Sequence, residues 1–270
     1  MGVAAPRAGA GRALLQGLVG AAVAAVAART TYRLLTRPGP DGRAPSASGG
    51  AVEPEPGATP DTPSAWRRTN FRGRPVTLQE GPALASGVCA ASLLTPGLTP
   101  RVRAACALAA AGAALFGAYD DLSGSPAARG LRGHLGALAH GRVTTGLVKM
   151  VGIGATGVAA AALLRRSAAQ TLLDGALIAA SANLVNLFDL RPGRAAKLAL
   201  LTAAPALASP AAPLVGPVVG ASAALLRDDL AERSMLGDAG ATRSARPWGW
   251  RPRHVRPGPC DWRCSAGRWR

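Results

Sequence analysis

An all-α fold, a polytopic bundle of transmembrane helices whose polar loops gather on one membrane face, is what this chain predicts. Three observations carry the expectation. Hydrophobic residues make up 49% of 270 residues and fall in blocks separated by short polar stretches. The blocks are dominated by alanine, which is close to neutral for bilayer insertion, so the series counts for more than any single run. Runs 104–118 and 150–164 carry no charged side chain, whereas a soluble amphipathic helix shows a charged face at a 3.6-residue period.

Taken in order, residues 13–29 form an apolar run behind Arg7 and Arg12. A basic flank, a short core and small residues describe a retained transmembrane helix or a signal-like segment, and residues 1–37 are set apart as such. Residues 38–65 are rich in Pro, Gly and Ser and predict a flexible linker. The main domain is expected from Trp66 to about Ala241. Its apolar runs are 82–97, 104–118, 150–164, 175–188, 198–209 and 211–226, each shorter than the ~20 residues of an ideal span. Neighbouring Gly, Ser and Thr extend them, and small residues allow close helix packing.

Charge places the loops. Arg67, Arg68, Arg72 and Arg74 mark loop 66–81 as cytoplasmic. Counting crossings from there brings Asp120, Asp121, Asp189 and the stretch 227–240 to the same face. Arg101, Arg103, Arg165 and Arg166 fall on the other face, against the rule. Asp174, inside the crossing taken as 168–188, needs a partner or water, since a carboxylate within the bilayer costs ~2.5–3.5 kcal/mol. The formal net charge of +17 fits nucleic acid or an anionic membrane surface. With one Trp before residue 240, base-stacking aromatics are not interleaved with the basic residues, so no nucleic-acid partner is expected. Cys89 and Cys106 lie in apolar runs as packing residues.

Three polar clusters interrupt the apolar pattern. Asp120 and Asp121 follow a long apolar run and begin a stretch containing Arg129, Arg132, His134, Arg142 and Lys149. Adjacent carboxylates suit Mg²⁺, which takes one or two carboxylates, keeps waters and completes its shell with substrate phosphates. In the second cluster Asn183 and Asn186, three apart, share a helix face. Asp189 follows, then Arg191, Arg194 and Lys197 as cations for phosphate, with Pro192 and Gly193 breaking the helix. The third is the glycine-rich turn Gly237-Asp238-Ala239-Gly240.

In this order the clusters resemble the polyprenyl-phosphate N-acetylhexosamine-1-phosphate transferases, the membrane superfamily that includes phospho-N-acetylmuramoyl-pentapeptide transferase and the UDP-N-acetylglucosamine–undecaprenyl-phosphate transferases. The likeness spans about residues 66–241. Gly117–Gly124 is similar to the paired-aspartate motif, Asn183–Asp189 to NxxNxxDG with Leu190 in place of the Gly, and Gly237–Ala241 to GDxGS with Ala for Ser. Asn70-Phe71-Arg72-Gly73 is similar to the polar entry loop, and Lys149 stands where the family has a lysine. The second aspartate of DGxDG and the histidine-rich loop after the GDxG motif are absent. The resemblance implies a plasma-membrane transferase that moves a sugar-1-phosphate from a UDP-sugar to a polyprenyl phosphate. It implies Asp120, Asp121 and Lys149 as catalytic residues, and Asp121 and Asp189 as ligands of a Mg²⁺ cofactor. Asn70, Arg72, Asn183, Asn186, Arg191, Arg194 and Asp238 would contact substrate, and membrane lipid is the third partner. The alternative is a family member that binds a lipid phosphate without catalysis.

Residues 242–270 are expected to be a disordered, out-of-frame tail. From residue 241 onward the chain holds four of the five Trp, two of the four Cys, and eight Arg against one Asp, without helical or strand period. A coding sequence exists in which one restored A after the Ala241 codon turns the residues up to Trp250 into Gly-Ala-Asn-Ala-Leu-Gly-Ala-Ala-Leu-Gly-Leu, the start of another apolar helix. The expected outcome of resequencing the locus is that extra base. An unambiguous read without it, together with tail peptides from the native protein, establishes the tail as real.

Overall fold

The computed structural model describes residues 6–37, 66–123 and 130–237. The linker 38–65 and the tail 242–270 lie outside the described residues. The fold is all-α. Its helices are α1 (Pro6–Leu35), α2 (Glu80–Leu94), α3 (Pro100–Ser123), α4 (Gly130–Ala139), α5 (Thr145–Ala162), α6 (Ala168–Phe188), α7 (Arg194–Ala203) and α8 (Ala212–Leu230). One small antiparallel hairpin, β1 (Arg67–Thr69) with β2 (Pro75–Thr77), precedes α2 and pairs Arg68 with Val76.

Local chemistry sets the helix boundaries. The Thr144 side chain caps α5 by accepting the Leu147 amide at 3.2 Å. Ser167 and Gln170 form a capping box at the start of α6. Gly193, in the left-handed region at φ 70°, turns the chain from α6 into α7. The α7 helix gives way to a five-residue 3-10 turn at Ala204–Ala208, because Pro205 has no N–H to continue the ladder.

The helices form a ring. α3 packs on α2 and α5, α5 on α6, α6 on α7, α7 on α8, and α8 on α1 and α2. α1 packs closely against α2 and α8. Ala24, Ala28 and Tyr32 are buried with Ala83, Ala91, Ala221 and Leu225 in one core. Small residues make this possible. Cβ atoms built on Gly216 and Gly220 of α8 would collide with the backbone carbonyls of Gly17 and Ala21 on α1. The two helices thus meet backbone to backbone, the geometry that small-xxx-small spacing permits.

Alanine and glycine supply most of the buried interior of the bundle, and many large apolar side chains face outward. Leu115, Val151, Leu172 and Leu173 are each 60% exposed or more. Among the described residues four helices are long and apolar enough to cross a membrane: Gly9–Leu35, Pro100–Ser123, Thr145–Ala162 and Ala168–Phe188. Exposed leucine around a small-residue interior is the arrangement that lipid tolerates. The expected runs 82–97, 198–209 and 211–226 yield no further helix of this kind. α2 has 15 residues and rises only about 22 Å, α7 is cut short before Pro205, and α8 carries Arg227, Asp228 and Asp229 in its last turn.

At the far end of the ring Arg103, Arg166 and Asp174 have partners. Arg103 donates to the carbonyls of Leu93, Leu98 and Thr95 at 2.8–3.1 Å and so closes the end of α2. Arg166 lies 3.6 Å from Asp174, which supplies the partner that this carboxylate needs. Gly220→Val is expected to destabilise the bundle by about 1–3 kcal/mol through overpacking. Gly154→Ala on α5, where a Cβ meets nothing within 4 Å, should be neutral or raise stability by up to ~1 kcal/mol. Unfolding in mixed detergent micelles followed by circular dichroism measures both.

Candidate functional site

The ring brings one set of helix termini together: the C-terminal ends of α1, α3, α6 and α8 and the N-terminal starts of α2, α5 and α7. This end is rich in buried carboxylates. Asp121, Asp189, Asp228, Asp229 and Glu80 are all at most 4% exposed, and Asp120 is 9% exposed.

Two arrangements stand side by side. Asp120 pairs with Lys149, Oδ2 to Nζ at 3.6 Å, across the α3–α5 contact. Asp121 and Asp189 instead meet at Gly237. The Gly237 amide donates to Asp189 Oδ2 at 2.8 Å, and a Cβ built on Gly237 would lie 2.5 Å from Asp121 Oδ2. Only a residue without a side chain admits both carboxylates there, and Gly237 adopts φ 93°. Arg68, from β1, donates to the main-chain carbonyl of Asp121 and fastens the end of α3 to the hairpin.

A cavity of about 480 Å³ opens from this point into the ring. Its polar end holds Asp121, Lys149, Asn183, Asn186 and Gly237. Its walls are apolar, with Leu84 and Val88 from α2, Ala110, Ala113 and Ala114 from α3, Met150 and Ile153 from α5, and Val218 from α8.

The remaining residues picked out in the sequence lie elsewhere at the same end. Asn70 is 5% exposed and shapes its own loop. Its Oδ1 accepts the amides of Arg72 and Arg74 at 2.9 and 3.0 Å, and its Nδ2 donates to Glu232 at 2.7 Å. Arg72 pairs with Glu232 at 2.6 Å. Both residues therefore tie the hairpin loop to the end of α8. Arg72 and Arg191 flank the Phe71 ring at 5.2 and 5.5 Å, and Arg194 lies over Phe188 at 5.3 Å. These guanidinium groups stand on exposed residues outside the cavity lining. Asp238 lies outside the described residues. Among the described residues no three His, Cys, Asp or Glu side chains gather as a metal-binding group; Asp120 belongs to Lys149, and the pair at Gly237 has two carboxylates.

The sequence reading missed a second buried acidic pair. Glu80 opens α2 and Asp229 ends α8. Ser234 Oγ donates to Glu80 Oε2 at 2.6 Å, while the other Glu80 oxygen and both Asp229 oxygens are buried without a hydrogen bond of normal geometry. Burial and then the charge of Asp229 push Glu80 well above the usual carboxylate range, Ser234 opposing them. Burial raises Asp229 to about 6, against the Gly193 amide and Lys197, which favour the anion. Asp228, its neighbour in the chain, is paired with Arg29 and Arg233. The available signal was a second Asp-Asp pair ending an apolar run, the pattern already noted at Asp120.

The chain matches no family model, no curated protein and no solved structure in comparison with known proteins.

A carboxyl whose pKa is higher folded than unfolded binds more protons in the folded state. Its contribution to stability is complete below the unfolded value and is lost as pH rises through the folded one. The bundle is therefore expected to lose stability between about pH 4 and 6 through Asp229, and Glu80, also raised, adds to the loss as pH rises. Asp229→Asn should flatten the first part and gain up to about 3 kcal/mol at pH 7. Unfolding midpoints measured from pH 4 to 8 for both proteins check this.

Proposed function

We propose that this protein is a multi-pass plasma-membrane transferase that moves a sugar-1-phosphate from a UDP-sugar to a polyprenyl phosphate, releasing UMP, with its polar end in the cytoplasm. The observation that carries the reading is the shape of the cavity: apolar walls from four helices, closed at one end by Asp121, Lys149, Asn183 and Asn186. A lipid chain fits such walls, and a phosphate head fits a cation flanked by amides. The resemblance of the Asp120, Asn183 and Gly237 segments to the transferases agrees with this.

The chemistry asks little covalent work of the protein. An oxygen of the lipid phosphate attacks the sugar-side phosphorus of the UDP-sugar, a P–O bond forms, and the P–O bond to UMP breaks. A phosphate monoester has its second pKa near ~6 and is largely dianionic at neutral pH, so the attacking oxygen needs no base. Positioning and charge neutralisation remain. Lys149 would hold a phosphate oxygen, and Asp120, its partner, would keep the ammonium group aimed at the cavity. Asn183 and Asn186 would donate amide hydrogens to the nucleotide or its phosphates. Asp121 and Asp189 fit Mg²⁺: two buried carboxylates meet beside an opening, and Mg²⁺ asks for one or two such ligands plus phosphate oxygens. Bound there, the ion would neutralise charge on the pyrophosphate. Arg191 and Arg194, exposed at the rim, would attract the incoming anionic nucleotide.

Membranes containing the full chain, given a panel of labelled UDP-sugars and a polyprenyl phosphate, should form labelled lipid. Asp121→Asn and Asp189→Asn should each lower the rate about 100-fold or more while leaving the protein in the membrane. Absence of transfer with every UDP-sugar, alongside retained binding of polyprenyl phosphate, would establish the non-catalytic lipid-phosphate binder instead.

A further inference from the structure

The short helix α4 takes no part in the cavity. It packs only lightly on α5 and is joined to it by a 2.7 Å hydrogen bond between His134 Nδ1 and Thr144 Oγ1, the cap of α5. Leu135 is 49% exposed, Leu138 45% and Val143 69%. Leu135 and Leu138, three apart, share a face, and the sequence sets Leu131 four before Leu135. Ten residues containing Gly133 and Gly136 are too short and too glycine-rich to hold a helix in water alone. Something beyond α5 must stabilise it.

Position and charge identify what. α4 sits beside the first turn of α5, at the level where an apolar helix long enough to cross a membrane begins. The helix α5 that it adjoins is itself apolar and exposed on its outer side, as at Val151, 62% exposed. From Leu122 to Leu173 the chain has no acidic residue, and Arg132 and Arg142 bracket the exposed leucines. A helix with an apolar stripe flanked by arginines suits the boundary between headgroups and acyl chains, where the arginines are attracted to an anionic leaflet.

We propose that α4 is an interfacial helix that docks on the anionic lipid surface around the bundle, with Leu135 and Leu138 in the acyl boundary and Arg132 and Arg142 on lipid phosphates. The proposal rests on the membrane helices and not on the proposed reaction.

Site-directed spin labelling of the full chain tests it. With Cys89, Cys106, Cys260 and Cys264 replaced by Ala, single labels are placed at Leu135→Cys, Leu138→Cys and Gly136→Cys. Gly136 lies on the far side of α4, and a Cβ there meets nothing within 4 Å. In phosphatidylcholine vesicles containing phosphatidylglycerol, labels at 135 and 138 should collide with oxygen in preference to a water-soluble nickel chelate, and the label at 136 should do the reverse. Omitting phosphatidylglycerol should raise nickel access at 135 and 138, and Arg132→Glu with Arg142→Glu should abolish that dependence on lipid charge. Equal nickel access at all three positions in both vesicles would overturn the proposal. So would immobile labels at 135 and 138 screened from both reagents, which would mark a protein surface in place of lipid.

Discussion

The rest of the structure depends on one contact, the backbone-to-backbone approach of α1 and α8 at Gly17, Ala21, Gly216 and Gly220. It fixes the height of the α8 terminus against the bundle. Arg29 then reaches Asp228, and the segment after α8 crosses beneath the start of α2. There Met235 donates to the Thr77 carbonyl at 2.9 Å and Ser234 reaches Glu80. Two residues further on is Gly237, the point where Asp121 and Asp189 converge. A side chain on either α8 glycine would separate the helices and move that point out of register with the ends of α3 and α6.

Electrostatics makes this end a poised rather than a relaxed one. Carboxylates at the C-terminal ends of α3, α6 and α8 face the negative ends of helix dipoles, and burial raises the cost of each charge. Some are compensated directly: Asp120 by Lys149, Asp228 by Arg29 and Arg233, and Glu232 by Arg72 and Arg74. Glu80 and Asp229 are not, and their raised affinity for protons is the consequence.

The lipid-facing surface and the polar end obey opposite rules. Outside, leucine is exposed because lipid imposes no penalty for it. At the polar end Asp120 and Asp228 each pair with a cation from a different helix, and Glu232 with Arg72 and Arg74 of the hairpin loop. The hairpin β1–β2 acts as the fastener, through Arg68 on α3 and the Asn70 loop on Glu232. Asn70 and Arg72 thus support the site from outside its cavity.

The sequence by itself determined the helical class, the helix breaks and the gathering of Asp120, Asp121, Asp189 and Gly237 at one end. Each follows from local chemistry: uncharged alanine-rich runs, Pro192 with Gly193, and an even number of passages between polar segments. Three matters were decided only by tertiary structure. α1 belongs to the core, because its small residues match glycines some 200 positions away, and no local pattern encodes that match. Asp120 and Asp121, adjacent in sequence, have separate partners, since neighbouring residues on a helix point about 100° apart. Glu80 and Asp229 form a buried acidic pair because two helix ends, each unremarkable alone, close over the same space.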